Sequence, residues 1–431
     1  MIINFSVQNF GPIKDKQMLS FEADKSDHLE DYYIIKTIKG LRLLKLGLIY
    51  GPNASGKSTI LLALDFLRKL IVEPLQKKND VLSFSPFLFD KDTPKQNSIF
   101  SIGFIQNDVR YYYEVELNQK SIISEELRFF NPNKAIIYKR VTDQDSQFSK
   151  ITFGSKIEIE KPSIKTLESN TLWNNTVLGG FLKTNIESKE LKNVSDWFLD
   201  YLQPIILPDI DLSEYVTSNI GASRINKEYV LNILKKADFN ISDIKLKKVE
   251  KEIPSNFFEF IEKQASISRE KINELKEKSK FITSELESFQ HTVNNEIFFL
   301  PANLESAGTK RYYGLSGILS MLVNDSVAIS IDELEESLHP DLYFHFLLSF
   351  LVNSKNSQII ATTHNRELLN NKDIFRNDAI WFTDKSKDSA TELYSLSDFD
   401  CSVIRDTSSV YNAYKIGKLG AIPNLGDFYI D

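Results

Sequence analysis

Gly51-Pro52-Asn53-Ala54-Ser55-Gly56-Lys57-Ser58 follows directly on Lys45-Leu46-Gly47-Leu48-Ile49-Tyr50, and apolar residues recur after it at Ile60, Leu64, Leu67 and Ile71. The eight residues have the spacing G-x-x-x-x-G-K-[ST]. The run before them is short and mostly apolar, as in a strand buried on both faces. The residues after them repeat at helical spacing, so a helix is expected there. Strand, glycine-bounded turn and helix together make a phosphate-binding loop: the glycines let the backbone wrap so that its N–H groups converge on an anion at the helix start. Gly51, Pro52, Asn53, Ala54, Ser55, Gly56, Lys57, Ser58 and Thr59 are therefore the candidate nucleotide-binding residues. Lys57 would reach the β- and γ-phosphates, and the Ser58 hydroxyl would ligate Mg²⁺.

Three further stretches fit the same chemistry. Val327-Ala328-Ile329-Ser330-Ile331 reads as a buried strand ending in Asp332 and Glu333. Asp332 would hold the metal with Ser58, and Glu333 would polarise an attacking water. Gln358-Ile359-Ile360-Ala361-Thr362-Thr363-His364 is a second apolar strand that delivers His364 at its C-terminal end, the edge where α/β sites assemble. A neutral His364 could sense the γ-phosphate or position the water; His339 is assigned to the loop after the carboxylates. Finally, Ser306, Gly308 and Thr309 precede an apolar helix and offer hydroxyls and N–H groups for a second anion.

Working outward, Ile3 to Phe10 alternates with period two up to Gly11-Pro12, and Met18 to Phe21 could return beside it. Residues 98–106, 109–117 and 124–130 are β-rich, with Asn107-Asp108 as a turn, which predicts an antiparallel sheet. Residues 141–175 are polar and poorly periodic. Residues 187–240 look helical. From Phe258 to Phe289 apolar positions follow a 3-4 rhythm, which predicts one long helix, either a coiled-coil arm or a helix packed on the body. Beyond it, strand, helix and strand alternate again over 327–331, 340–352 and 358–362, as in a parallel sheet; 379–383 and 392–396 are strand-like. The fold class is thus α/β, a P-loop head with a mixed sheet and an antiparallel β subdomain, carrying a helical insertion. The expected parts are 1–160, 161–294 and 295–431.

Composition bounds the alternatives. A chain of 431 residues suggests about three domain-sized units, or one large domain with an insertion. With 42% hydrophobic and 26% charged residues, wholesale disorder is excluded. The 52 Lys and Arg against 59 Asp and Glu leave a net charge of −7, which argues against a mainly electrostatic nucleic-acid binder but leaves room for a local basic patch. A single cysteine, Cys401, excludes an internal disulfide framework and fits a reducing compartment. No apolar run approaches a membrane span and the first residues do not read as a signal peptide, so a cytoplasmic location is expected.

The order of P-loop, Ser306-Ala307-Gly308-Thr309-Lys310-Arg311, apolar strand with Asp332-Glu333, then Thr362-Thr363-His364 resembles the head of an ABC-type ATPase. It is more similar to ATPases related to the overcoming-lysogenization-defect (OLD) proteins, and among those to the stand-alone RloA and AbiL type. The runs Asp332 to Pro340 and Gly417 to Pro423 share that group's pattern, except that Gly417-Lys418-Leu419-Gly420 stands where Gly-Arg-Tyr-Gly is expected. No Q-loop glutamine is apparent, with Phe84 to Asp90 the candidate region. The resemblance implies ATP and Mg²⁺ as ligands and a homodimer, or a higher even-numbered oligomer, assembled head to tail. ATP would be sandwiched between one subunit's P-loop and Ser306, Gly308, Thr309 and Arg311 of another.

The implied function is an ATP-driven switch controlling a separate, co-encoded effector, a nuclease, in anti-phage defence. The alternative is a DNA-repair or DNA-end-binding ATPase of the RecF and SMC kind. A nuclease fused in the same chain would need a further metal domain, and only 67 residues follow His364; Asp398-Phe399-Asp400 reads as an acidic turn. A transporter subunit lacks its signature here.

Overall fold

Alternation sets up the first strand, β1 (Ile2–Gln8), and Gly11-Pro12 turns the chain so that β2 (Gln17–Ser20) returns antiparallel to it. In this computed structural model residues 1–37, 40–252, 280–399 and 409–423 are described. A one-turn helix α1 (Glu30–Tyr33) and the hairpin β3 (Ile34–Lys36) and β4 (Arg42–Leu44) lead into β5 (Leu46–Tyr50), every residue of which is buried. Helix α2 (Lys57–Val72) follows, its buried face formed by Ile60, Leu61, Leu64, Leu67 and Ile71. The expected β-rich region is a meander of β6 (Ser98–Gln106), β7 (Val109–Leu117) and β8 (Ile122–Phe130), and β9 (Lys134–Asp143) and β10 (Phe148–Phe153) continue it beyond the runs read as β-rich. Helices α3 (Lys161–Asn170), α4 (Val177–Phe181) and α5 (Lys189–Asp196) come next.

The second half mixes helices and strands, and from Val327 onward they alternate in the order the sequence implies. Helices α6 (Leu212–Gly221) and α7 (Lys227–Lys236) precede three strands, β11 (Ile241–Glu252), β12 (Lys280–Val293) and β13 (Glu296–Pro301). Helix α8 (Ala307–Asn324), β14 (Ala328–Ile331), α9 (Pro340–Asn353), β15 (Gln358–Thr362), β16 (Ile380–Lys385) and β17 (Thr391–Ser395) complete the elements used below. No helix among the described residues is long and apolar enough to cross a membrane.

One expectation is corrected. The long helix read from Phe258 to Phe289 falls partly on residues 253–279, outside those described, and its C-terminal end is strand β12. That strand is hydrogen-bonded to β11 on one side and β13 on the other. Thr283, Phe289, Thr292 and Val293 suit a pleated surface, and pairing on both edges outweighs the 3-4 rhythm.

The chain divides into two compact units. The first holds residues 1–208, 325–336 and 351–431 and contains two main sheets. A seven-stranded antiparallel sheet runs β10-β9-β8-β7-β6-β1-β2, and a five-stranded sheet runs β14-β15-β5-β16-β17. In the latter β14, β15, β5 and β16 are parallel, and only β17 is antiparallel. The extended segment after α5 lies beside β14 through the parallel bridges Leu202 to Ala328 and Ile206 to Ile331. The P-loop head is therefore a mixed sheet with helices and an antiparallel β subdomain.

The second unit holds residues 209–324 and 337–350. Helix α8 packs on α6, where a Cβ on Gly314 would lie 2.3 Å from Leu212 Cβ and one on Gly317 2.3 Å from Val216 Cγ2, so glycine permits the close approach. The sheet β11-β12-β13 contributes Phe289, edge-on to Tyr313 of α8 with ring centroids 5.6 Å apart.

Candidate functional site

The parallel order β14-β15-β5 brings three strand ends to one edge of the first unit: Tyr50 leading into the glycine loop, Ile331 into Asp332, and Thr362 into His364. The loop depends on glycine at both ends. A Cβ on Gly51 would lie 2.4 Å from Thr383 Oγ1, and one on Gly56, which has φ +99°, would lie 2.1 Å from Thr391 Oγ1. Those two threonines, on β16 and β17, hold the loop: Ser55 Oγ and Thr383 Oγ1 share a hydrogen bond of 2.6 Å, and Thr391 Oγ1 donates to Ser55 O at 2.9 Å. Ala54 sits at φ +61°, a left-handed conformation that costs a non-glycine residue about 1–3 kcal/mol. Helix α2 starts at Lys57 with no side-chain cap from Gly56. Its first amides are thus free to meet an anion. The buried Lys57 Nζ donates to Gly51 O at 2.9 Å and Pro52 O at 3.1 Å. Burial holds its pKa below the ordinary lysine value, against the opposing pull of Asp332, Glu333 and Glu335.

Asp332 meets this loop directly. Ser58 Oγ donates to Asp332 Oδ1 at 2.9 Å, and Thr362 Oγ1 donates to the same oxygen at 2.5 Å. Hydroxyl and carboxylate are hard oxygen donors of the kind magnesium takes alongside phosphate and water, so Ser58 and Asp332 fit that ion. Glu333 sits at φ +47°, held there by its N–H to Thr362 Oγ1 at 2.8 Å and by Leu334 N–H to Thr362 O at 3.2 Å. The strained backbone directs a half-exposed carboxylate to within 4.0 Å of His364 Nε2. His364 N–H donates to Glu335 Oε1. Burial, then the nearby Lys57 charge, lowers the His364 pKa, which favours the neutral ring.

Sequence reasoning missed four residues of this corner. Thr362 links Asp332 to the Glu333 backbone, Glu335 anchors His364, and Thr383 and Thr391 brace the loop. Thr362 and Glu335 lie inside quoted motifs and could have been suspected from their place beside the acidic pair. Thr383 and Thr391 lie more than 300 residues from the loop they support and carry no local signal.

The other predicted anion element belongs to the second unit. Ser306 stands just before α8, and its Oγ accepts from Thr309 N–H at 3.0 Å and lies 2.8 Å from Thr309 Oγ1. Ser306 is exposed, whereas Thr309 and Arg311 are buried. A Cβ on Gly308 would lie 2.9 Å from Ser337 O. In the tail, Gly417 and Gly420 take left-handed φ values of +79° and +65°, and Ala421 N–H donates to Asp384 Oδ2 at 2.8 Å. Lys418, at the position where arginine was expected, is not buried. Phe84 to Asp90 forms a loop with Leu88 and Phe89 exposed.

With this geometry in place, the comparisons are specific about family. The family described as "AAA domain, putative AbiEii toxin, Type IV TA system" matches residues 48–370, from β5 through the glycine loop and Asp332 to beyond His364. The chain belongs to this AAA-domain family. No curated protein matches the AAA-domain chain. Among solved structures it is similar to the SMC head domain from Thermotoga maritima, at 12% identity and a TM-score of 0.41, over 91% of this chain and 98% of that one. It is also similar to an SMC head bound to the C-terminal winged-helix domain of ScpA, at 12% identity and a TM-score of 0.46, over 91% and 97%.

Proposed function

We propose that the protein is an Mg²⁺-dependent ATPase that works as a switch, closing head to tail on ATP and controlling a separate nuclease effector in bacterial anti-phage defence. The observation that carries the ATPase reading is the hydrogen bond from Ser58 to Asp332 beside the open start of α2: it joins the loop that would hold phosphates to the carboxylate that would share their metal. Mg²⁺ would neutralise phosphate charge there. Lys57 would exchange its two backbone carbonyls for phosphate oxygens, and the α2 amides would complete the cradle. Glu333 would accept a proton from the attacking water, with Thr362 fixing its backbone and neutral His364 orienting the same water. Opening and closing would follow the presence of the γ-phosphate. The defence role and the in-trans use of Ser306, Gly308, Thr309 and Arg311 rest on the resemblance to the OLD-related ATPases.

Mixing two inactive variants tests the composite site. Lys57→Ala keeps a sound signature element, and Gly308→Asp keeps a sound P-loop while placing a carboxylate against the partner's triphosphate. Gly308→Asp should still bind ATP, each variant alone should be inactive, and the mixture should regain part of the hydrolysis through one sound site. Loss of ATP binding by Gly308→Asp as severe as by Lys57→Ala would place the signature in its own chain's pocket instead. Purification with the product of the neighbouring gene, weighed with and without ATP, tests the effector.

A further inference from the structure

The sheet of the second unit has two edges of opposite character. At β11, Lys245 and Lys247 pair with Glu287 and Glu285 of β12, and Asp243 pairs with Lys227; Lys248 and Glu250 add further charge. Charge of this kind protects an edge against pairing with other chains. The other edge, β13, reads Glu296-Ile297-Phe298-Phe299-Leu300-Pro301 and carries no lysine or arginine. Ile297, Phe298 and Phe299 are 58%, 51% and 57% exposed, and Val293 and Leu304, before and after the strand in the chain, are exposed as well. Among the described residues, β12 is the only strand beside β13.

The hairpin fixes which backbone groups face outward. Asn294 and Asn295 join β12 to β13 at φ +51° and +64°, the two-residue turn with both centres left-handed, and Val293 faces Glu296 across it. The pair flanking such a turn is hydrogen-bonded, so Glu296, Phe298 and Leu300 direct their backbone groups to β12. Ile297 and Phe299 then direct theirs away from the sheet.

We infer that β13 pairs antiparallel with β13 of a second copy of this chain, about a two-fold axis at Phe298. In that register Ile297 and the partner's Phe299 exchange both N–H to C=O bonds, and the symmetry repeats them for Phe299 and the partner's Ile297. Phe298 faces the partner's Phe298 in a non-hydrogen-bonded pair. Glu296 meets the partner's Leu300 rather than its own counterpart, so no like charges oppose. Pro301, the one residue without an N–H, falls opposite the partner's Asn295 beyond the central bonds. The strand is self-complementary in this register, which favours a second copy over an unrelated strand. The pairing is separate from any nucleotide-driven closure.

The test uses the full chain, without nucleotide, in a Cys401→Ser background that removes its single native thiol. Facing residues of a non-hydrogen-bonded pair have Cα atoms about 4.5 Å apart, within disulfide reach. Phe298→Cys should therefore form a disulfide-linked dimer on mild oxidation, and Phe299→Cys, whose own counterpart is offset along the strand, at least about tenfold less. Sedimentation should show a nucleotide-free dimer that Lys57→Ala leaves intact and Phe298→Asp dissociates, because two carboxylates would then face each other. An unchanged circular-dichroism spectrum and thermal transition for Phe298→Asp show that it is folded. Failure of Phe298→Cys to cross-link, equal cross-linking by both cysteines, or an oligomer indifferent to Phe298→Asp would each overturn the pairing.

Discussion

Two helices begin at predicted anion sites, and they begin differently. Helix α2 starts after Gly56, which offers no side chain to its first amides, so those donors face the cradle formed by Gly51 to Ser58. Helix α8 starts after Ser306, whose hydroxyl already satisfies the Thr309 N–H. A helix start becomes a phosphate site when its orphan amides are left open and its loop is held in place, not because hydroxyls are nearby. At α2 both conditions hold within one chain, through Thr383 and Thr391. At α8 the serine closes its own helix, and a signature role would require it to turn to a second ligand.

The largest expected effect on binding is at the open helix. Lys57→Ala removes the one cation of the loop and should weaken ATP binding by about ten- to a hundredfold, the scale of a single charge-assisted hydrogen bond; titration calorimetry measures it. Wild-type affinity would make the loop an ordinary turn and erase the contrast with α8.

A smaller effect concerns pH. The folded-state pKa of His364 is lowered by burial and by Lys57, so protonation opposes the folded arrangement. Its contribution to stability is present above the unfolded value of about 6.5 and is lost as the pH falls below it, toward the depressed folded value. ATP turnover should therefore be level above about pH 6.5 and fall only on the acid side. His364→Asn should remove that acid limb from the pH–rate profile at a reduced overall rate. An unchanged acid limb would assign it to another group.

The smallest effect sharpens the comparison at α8. Ser306→Ala removes the cap and should cost about 1 kcal/mol in thermal or chemical unfolding. Ser306→Asp preserves capping, so stability should hold, while its charge should prevent ATP-driven self-association. If both variants associate on ATP like the wild type, Ser306 is a cap and nothing more.

Legibility in the sequence followed the same physics. The P-loop, β5, β14 and β15 could be read because glycine spacing and buried apolar runs are local signals. Strand β10 could not. Only at its start is the usual burial reversed, with Ser149 buried and Phe148 exposed over a polar inner cluster, while Ile151 is buried in the ordinary way, so the run is too short and too polar to show alternation. Arg140 reaches Glu125 at 3.5 Å and Ser149 Oγ at 2.7 Å, and Glu125 accepts from Tyr113 OH at 2.9 Å. Burial raises the Glu125 pKa, which its hydrogen bonds and Arg140 oppose. A polar interior of this kind reads as loop to any hydrophobic pattern. Strand β12 was misread for the opposite reason, since its apolar positions fit a helical period that pairing on both edges overrides. The Thr383 and Thr391 braces are properties of the fold, with no counterpart in the neighbouring sequence.

The most direct measurement is ATP binding and turnover by Glu333→Gln in the presence of Mg²⁺. The substitution keeps the shape of the side chain and the Glu333 N–H to Thr362 bond while removing the carboxylate that would take the proton from water. Binding should remain near the wild-type level, turnover should fall by about 10²- to 10⁴-fold, and ATP should hold the protein in its closed, heavier form. Turnover at the wild-type rate would contradict the assignment and move the proton-accepting role away from Glu333, with His364 the next residue to test.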